Sequence, residues 1–135
     1  MRRFLTRKKV LVVDDNEASR LLLSEILLEI GFTTIETAKG KRALELFETH
    51  ACDIVLVLTD IKLPDISGYE LITRLKKFDN EVAIIAISAL PPHEAEIKCK
   101  EAGATHFLSK PFGIDEFEAL VKFYKKQLIP VYDGN

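Results

Sequence analysis

Short apolar runs alternate along the chain with longer stretches in which apolar residues recur every three or four positions. Runs rich in Val, Ile, Leu or Thr favour β-strands, because branched side chains pack well on a pleated surface. The strands predicted in this way cover residues 10–13, 33–37, 54–58, 82–87 and 105–109. The first, third and fourth runs are apolar throughout, which is typical of strands covered on both faces.

The stretches between and after these runs have the periodicity of amphipathic helices. Ser67 and Glu70 have the spacing of a capping box, and Gly31 and Gly103 are suited to end helices. The predicted helices begin near residues 17, 41, 67, 91 and 114 and end near residues 30, 49, 78, 103 and 128. One apolar stripe on the last helix is formed by Phe117, Leu120, Val121, Tyr124 and Leu128.

This regular alternation of strand and helix predicts an α/β fold, a doubly wound five-stranded parallel sheet with helices on both faces. Right-handed crossovers restrict its topology further. In such sheets, ligands bind beyond the carboxyl ends of the strands. The residues directly after each strand are therefore the first candidates for function.

Composition narrows the class of protein. The chain has 135 residues, 47% of them hydrophobic and 30% charged, and a formal net charge of −2. We expect one domain over residues 1–135, with a core at about 8–128, a short basic lead-in and a short tail. Interspersed charges do not favour nucleic acid as the partner. Neither a signal peptide nor a spanning segment is predicted, and Cys52 and Cys99 match no metal-binding motif, which together favour the cytoplasm.

Acidic, hydroxyl and basic side chains follow four of the predicted strands. They are Asp14 and Asp15 after the first, Asp60 after the third, Ser88 after the fourth and Lys110 after the fifth. Three carboxylates at one edge repel one another unless a cation lies between them, and their oxygens suit Mg²⁺. One carboxylate could then attack a phosphoryl group and form an aspartyl phosphate, while the ammonium and hydroxyl bind phosphoryl oxygens. The sequence has no Gly-rich nucleotide-binding loop.

Four segments resemble the receiver domain of two-component response regulators. They are "VLVVDDN", "TDIKLPDISGYEL", "IIAISA" and "GATHFLSKPF", in this order, and the resemblance extends over nearly the whole chain. It implies the flavodoxin-like strand order 2-1-3-4-5. It also implies a phosphorelay module that takes a phosphoryl group from a histidine kinase or a histidine phosphotransfer protein and then switches the face made by the fourth helix, fifth strand and fifth helix.

The resemblance assigns roles to individual residues. Asp60 corresponds to the phosphoacceptor, Ser88 to the switch hydroxyl and Lys110 to the phosphate-binding lysine. Mg²⁺ would be held by Asp15 directly, by Asp14 through a water molecule, by Asp60, and by the backbone carbonyl of Lys62. Phe107 stands at the position of the switch aromatic, and the bond between Lys110 and Pro111 is expected to be cis.

The sequence departs from the family pattern in three respects. Two extra residues stand between Gly40 and Asp60, which leaves the start of the third strand open. Ser88 and Phe107 replace the commoner Thr and Tyr but keep a hydroxyl and an aromatic ring. In the family, the residues two positions after the acceptor and two after the hydroxyl flank the path of a hydrolytic water. Here they are Lys62 and Leu90, which carry no carboxylate or amide to hold that water, so the resemblance implies a long-lived aspartyl phosphate.

Three other functions compete with this interpretation. A degenerate receiver could act as a binding scaffold, but the complete set of acids, hydroxyl and lysine argues against it. A haloacid-dehalogenase-like phosphatase would want an acid two residues after its nucleophile, where this chain has Lys62. A flavin carrier would want a Ser/Thr-rich loop after the first strand. We therefore expect a regulatory domain, not an enzyme with its own substrate.

The resemblance leaves the partners unnamed. Besides the kinase or phosphotransfer protein, it allows an output partner and a homodimer formed on phosphorylation. The chain ends soon after its last helix, so we expect no output domain here. The sequence fits a stand-alone receiver and a piece of a larger regulator or hybrid kinase equally well.

Overall fold

Five strands and five helices alternate along the computed structural model, which describes residues 9–128. In chain order they are β1 (Lys9–Val13), α1 (Glu17–Ile30), β2 (Thr33–Thr37), α2 (Gly40–Thr49), β3 (Ile54–Asp60), α3 (Gly68–Phe78), β4 (Ala83–Ser88), α4 (Pro92–Ala102), β5 (His106–Ser109) and α5 (Ile114–Leu128). The basic lead-in and the tail predicted from the sequence lie outside the described residues.

The strands form one parallel sheet in the order β2-β1-β3-β4-β5, which confirms the predicted order. Parallel pairing brings the carboxyl ends of all the strands to one edge, here called the carboxyl edge. Asp60 is opposite Ile87 in the β3–β4 ladder, and Ser88 is opposite Ser109 in the β4–β5 ladder. The sheet therefore carries the candidate residues of β3 and β4 to adjacent positions.

Two apolar clusters cover the two faces of the sheet. The first joins the sheet to α1 and α5 through residues such as Leu27, Phe117 and Val121, and the second joins it to α2, α3 and α4. Alternation along β1 supplies both, since Val10 and Val12 face the first cluster and Leu11 and Val13 face the second. All four are buried, which confirms that β1 is covered on both faces.

The predicted helix ends are confirmed, with one exception in detail. Gly31 and Gly103 end α1 and α4 in the left-handed conformation, each with φ of 117°. Ser67 begins α3 by accepting the N–H of Glu70 at 3.1 Å. The reciprocal half of the capping box is replaced by another contact, because the Glu70 carboxylate pairs with Arg74 on the next turn at 2.5 Å.

Strand β3 begins with an irregularity that the sequence left open. Lys9 lies opposite Ile54, but Val10 lies opposite Leu56, so Val55 is an extra residue in β3. As a result, Val55 and Leu56 face the same apolar cluster. The irregularity is confined to the start of β3 and leaves the rest of the strand in register with β1 and β4.

Strand ends were the least accurate part of the prediction. Strand β3 continues beyond Leu58 to Asp60, and β4 begins at Ala83 and includes Ser88. Backbone pairing carries both strands past the last apolar residue, because ladder hydrogen bonds do not depend on side-chain polarity. Of the predicted stripe on α5, Phe117, Val121 and Tyr124 are buried and Leu120 is half-buried, while the side chain of Leu128 lies outside the described part.

None of the helices between residues 9 and 128 combines the length and the apolar character that crossing a bilayer requires.

Candidate functional site

Three carboxylates meet at the carboxyl edge. Asp14, Asp15 and Asp60 each place one oxygen within 4.8 Å of the oxygens of the other two. Asp14 is only 2% exposed and Asp60 only 9%, whereas Asp15 is open to solvent. The convergence predicted from the strand ends is therefore confirmed, and it yields two enclosed acids beside one accessible acid.

The β1–α1 turn fixes the enclosed Asp14 from both sides. Its Oδ1 accepts the N–H of Asn16 at 2.9 Å, and its backbone carbonyl accepts a guanidinium N–H of Arg20 at 2.7 Å. Asn16 also caps α1 by accepting the N–H of Ser19 at 2.8 Å, and Arg20 lies 3.6 Å from Glu36 of β2. These supports were not predicted from the sequence, although Asn directly before a helical stretch is an ordinary N-cap signal.

Lys110 supplies the positive charge next to these acids. Its Nζ lies 3.0 Å from Oδ2 of Asp60 and 3.6 Å from Oδ2 of Asp14. The bond between Lys110 and Pro111 is cis, as predicted, and the backbone N–H of Lys110 donates to the carbonyl of Ser88 at 2.8 Å. Burial alone would lower the pKa of Lys110, but the hydrogen bond to Asp60 and the charges of Asp60 and Asp14 outweigh burial and raise the pKa.

Ser88 ends β4 with its side chain enclosed at 1% exposure. Its Oγ accepts the backbone N–H of Leu90 at 2.9 Å. A hydroxyl that accepts one hydrogen bond can still donate its own hydrogen. Ser88 therefore has a donor to offer to a group that arrives between it and Asp60.

The other predicted residues surround this centre. The backbone N–H of Lys62 donates to Oδ1 of Asp60 at 3.2 Å, while the side chain of Lys62 is exposed. Leu90 and Phe107 are half-buried and pack against the cluster under α2, α3 and α4. Phe107 thus lies on the same side of the sheet as the loop after β4.

Asp65 is a further acid of the β3–α3 loop, and its side chain is hydrogen-bonded to α2. Its two oxygens accept the N–H groups of Gly40 and Lys41, each at 2.9 Å, at the first turn of α2. The hydrogen bond from Lys41 is the largest cause of a lowered pKa of about 2; a smaller effect of burial opposes it, and bonds from Gly40 and Ile66 add to it. This contact was not predicted from the sequence, because the partners of Asp65 are more than twenty residues away along the chain.

Gly68 lets α3 begin directly against the phosphoacceptor candidate. A Cβ added there would lie 2.4 Å from the carbonyl oxygen of Asp60 and 2.6 Å from Cα of Ile61. The N–H of Gly68 donates to the carbonyl of Ile61 at 2.7 Å. Only a residue without a side chain allows this approach.

The donor set determines what the site can bind. Carboxylate oxygens are hard ligands, and a divalent cation among them would offset the repulsion between Asp14, Asp15 and Asp60. Lys110 adds an ammonium that can bind the oxygens of a phosphoryl group. Together these groups fit a divalent cation and a phosphoryl group side by side, with a carboxylate in position to react.

A family model of the response regulator receiver domain matches residues 10–122. The chain belongs to the response regulator receiver domain family. Receiver domains are regulatory modules of two-component signalling. Over 120 residues the chain is 34% identical to the sporulation initiation phosphotransferase F of Bacillus subtilis, with 89% of this chain and 95% of that protein covered. It is 33% identical to the polar-differentiation response regulator DivK of Brucella anthropi, with 87% and 95% covered.

Solved structures of receiver domains have the same architecture. A beryllofluoride-activated DrrB receiver domain superposes with a TM-score of 0.79 at 31% identity, covering 88% of this chain and 97% of that one. A response regulator receiver domain protein from Clostridium thermocellum superposes with a TM-score of 0.82 at 22% identity, covering 89% and 95%. The second similarity concerns the fold alone.

Proposed function

We propose that this receiver domain takes a phosphoryl group on Asp60 in a Mg²⁺-dependent reaction and passes the signal on by a change of conformation. One observation carries the proposal: Lys110 Nζ lies 3.0 Å from Asp60, in a site where three carboxylates come within 4.8 Å of one another. This arrangement supports Asp60 as the nucleophile, the three acids as a cation site and Lys110 as the phosphoryl-binding ammonium.

The transfer proceeds from a phosphohistidine on a kinase or phosphotransfer protein. An oxygen of Asp60 attacks phosphorus, a P–O bond forms, the P–N bond breaks, and the imidazole nitrogen keeps the electron pair. Lys110 then moves its hydrogen bond from the carboxylate to a phosphoryl oxygen. Hydrolysis later restores Asp60, when a water oxygen attacks phosphorus and inorganic phosphate leaves.

The acids of the site would hold Mg²⁺ as the resemblance implies: Asp15 and Asp60 directly, Asp14 through water, and Lys62 through its backbone carbonyl. A divalent cation there would neutralise negative charge on the phosphoryl oxygens as they approach Asp60. Asp14 is fixed by Asn16 and Arg20, so it can orient a water without moving. The exposure of Asp15 leaves one side of the site open to the donor.

Ser88 and Phe107 convert the new phosphoryl group into a change at the surface. Ser88 turns from the N–H of Leu90 to a phosphoryl oxygen, and Phe107 turns inward, which remodels the face of α4, β5 and α5. Charge-assisted hydrogen bonds from Ser88 and Lys110 supply very roughly 3–6 kcal/mol. Moving a two-state equilibrium from 1:99 to 99:1 takes about 5.5 kcal/mol, so both contacts must form mainly in one state.

The names of the relatives support this proposal without naming the partners of this chain. One similar protein is called a phosphotransferase, and another a response regulator. A structure of 30% identity and TM-score 0.77 contains CheY with CheX, beryllofluoride and Mg²⁺, from Borrelia burgdorferi. We infer a donor histidine kinase or phosphotransfer protein, an output partner, and a homodimer on phosphorylation, with no direct role for nucleic acid or membrane.

We also propose a single domain over residues 1–135 and a cytoplasmic location. Cys52 and Cys99 are both free, as in reducing compartments. Burial, followed by the charge of Glu96, raises the pKa of Cys99 to about 11. This thiol stays protonated and does not compete with Asp60 as a nucleophile.

Acetyl phosphate with and without Mg²⁺, followed by intact-mass measurement, tests the proposal. We expect one added phosphoryl group that depends on Mg²⁺ and is absent from Asp60→Asn. Asp79→Asn is the matched control, because Asp79 follows α3 at the opposite edge and binds the N–H of Glu81. Labelling that persists in Asp60→Asn would overturn the assignment and point to Asp65.

Beryllofluoride, a phosphoryl mimic, tests the switch. We expect NMR shift changes at Ser88 and Phe107 and over the exposed residues of α4 and α5. Changes confined to the loops around Asp60 would contradict this path. Absence of labelling in the wild type would favour the scaffold instead, while the phosphatase finds no support in the exposed Lys62 two residues after Asp60.

A further inference from the structure

Asp65 ties the β3–α3 loop to a different helix from the one that the loop enters. Its Oδ1 accepts the N–H of Gly40, and its Oδ2 accepts the N–H of Lys41, each at 2.9 Å. Oδ1 also accepts the N–H of Ile66 at 2.9 Å within the loop. One carboxylate thus joins the middle of the loop to the start of α2, where free N–H groups favour negative charge.

Side-chain packing reinforces the same junction. A Cβ added to Gly40 would lie 2.6 Å from Cγ1 of Ile66 and 3.4 Å from Cδ1 of Leu63. Both apolar side chains are half-buried against the cluster under α2, α3 and α4. The loop and α2 therefore meet through both polar and apolar contacts. A shift of the loop away from α2 would break both kinds of contact.

Lys62 lies in the β3–α3 loop between two points at which the loop is held in place, Asp60 and Asp65. At one side its N–H donates to Oδ1 of Asp60 at 3.2 Å, and the N–H of Gly68 closes the base of the loop on the carbonyl of Ile61 at 2.7 Å. At the other side Asp65 holds the loop against α2. The backbone at Lys62 has little freedom once both sides are in place.

We propose that Asp65 is a positioning residue for the metal site, holding the loop so that the backbone carbonyl of Lys62 is directed at the cluster of Asp14, Asp15 and Asp60. This inference rests on the proposed function, in which that carbonyl is a metal ligand. Asp65 itself does not bind the metal or the phosphoryl group, since both of its oxygens are occupied at α2. Groups hydrogen-bonded directly to a metal ligand typically change metal affinity about 10–100-fold when they are removed. Asp65 acts through the loop backbone, so we expect an effect at the lower end of that range.

Mg²⁺ titration of the unphosphorylated protein, followed by amide NMR, tests this role. We expect Asp65→Ala to raise the dissociation constant for Mg²⁺ about tenfold. Asp65→Asn keeps one acceptor oxygen and should have a smaller effect in the same direction. Gly40→Ala approaches the junction from α2 and should weaken Mg²⁺ binding as well, with all acids intact.

Two controls separate positioning from general effects. Ser67→Ala removes the cap of α3 in the same loop, and Glu70→Gln removes one negative charge from the adjoining helix. We expect both to keep the affinity for Mg²⁺ within about twofold, whatever they do to the urea midpoint. A Mg²⁺ affinity of Asp65→Ala equal to wild type, with lower stability, would overturn the inference and reduce Asp65 to a helix cap.

Failure of this inference can be told apart from failure of the proposed function. If wild type binds no Mg²⁺ and takes no phosphoryl group, the proposed function is wrong. If wild type does both and the Asp65 variants match the Ser67 and Glu70 controls, only the positioning role is wrong.

Discussion

The two edges of the sheet are built from opposite kinds of residue. Within residues 9–128, the buried polar side chains are all at the carboxyl edge, namely Asp14, Thr59, Asp60 and Ser88. The other edge, where α2 ends and β3 and β4 begin, buries Phe47, Ile54 and Val82. There the ring of Phe47 meets the ring of Phe78 edge to face at 5.7 Å.

This difference indicates that the apolar edge contributes mainly to stability, whereas the candidate chemistry lies at the carboxyl edge. Buried apolar rings contribute to folding directly, while enclosed carboxylates cost free energy unless a cation accompanies them. Among residues 9–128, the ammonium of Lys110 is the one that contacts both enclosed acids at the carboxyl edge. The cluster of Asp14, Asp15 and Asp60 therefore favours a cation, and changes at the two edges should affect different measurements.

Truncation of Phe47 should give the largest effect. Phe47→Ala removes a buried ring and should lower the free energy of unfolding by about 3–5 kcal/mol. Urea unfolding measures this loss, and labelling of Asp60 by acetyl phosphate should persist wherever the variant is folded. Phe78→Ala is the control, because its ring is half exposed and should cost less. Loss of labelling in folded Phe47→Ala would contradict the separation of stability at one edge from chemistry at the other.

Neutralising Asp15 should have the opposite effect to truncating Phe47, because it should change metal binding and not stability. Asp15→Asn removes one negative charge from the proposed Mg²⁺ site and should weaken Mg²⁺ binding by roughly tenfold or more, without lowering stability in the absence of metal. Mg²⁺ titration by NMR and urea unfolding measure the two properties. Glu17→Gln, which neutralises an exposed acid in the first turn of α1, should leave the affinity nearly unchanged. Equal affinities of Asp15→Asn and wild type would exclude Asp15 from the site.

The lifetime of the proposed aspartyl phosphate should respond to Lys62 and Leu90, the two residues that the family resemblance places beside it. Leu90→Glu and Lys62→Asn can each hold a water, and each should shorten the lifetime about threefold, or ~0.6 kcal/mol of activation free energy. Decay after removal of the donor measures this, with the exposed Lys77→Asn at the other edge as control. A wild-type phosphate lost within seconds, or decay unchanged in both variants, would contradict the assignment.

The smallest effect concerns acid pH. Because the pKa of Asp65 is lowered from 3.8 to about 2, its contribution to stability is complete above pH 3.8 and is lost as the pH falls toward 2. Wild type should therefore exceed Asp65→Asn in thermal stability near neutrality, and the gap should narrow below pH 3.8. The effect of Ser67→Ala should not titrate in this range. A gap that stays constant down to pH 3 or widens would show that the carboxylate charge is not involved.

The sequence predicted best what depends on neighbours along the chain. The apolar run from Val10 to Val13 identified a strand covered on both faces, because burial on two sides requires apolar residues at every position. Gly31 and Gly103 identified helix ends for an equally local reason. The order of motifs brought Asp60, Ser88 and Lys110 to one edge, since parallel strands end together.

Features that depend on distant partners escaped prediction. The extra residue at Val55 follows from the register against β1, and the position of Asp65 follows from its contact with α2. Glu70 has the spacing of a capping box but pairs with Arg74, because two partners compete for one carboxylate. Asp14 and Asp15 are adjacent and chemically identical, yet one is enclosed and the other open. The differences at Val55, at Asp65 and between Asp14 and Asp15 arise from packing between elements, which a local pattern does not contain. The pair of Glu70 and Arg74 is instead a local contact on one face of α3, and the spacing of the capping box does not show which of the two partners the carboxylate takes.

The close packing at Gly68 restricts which residues can replace it in evolution. It carries no reactive group, yet the smallest side chain would meet the backbone of Asp60 at 2.4 Å. Every single-nucleotide missense change of its codon must introduce a side chain at this point. A lineage that depends on this switch should therefore retain glycine at position 68 as strictly as the acceptor itself. Drift to another residue there would mark descendants in which the switch is no longer under selection.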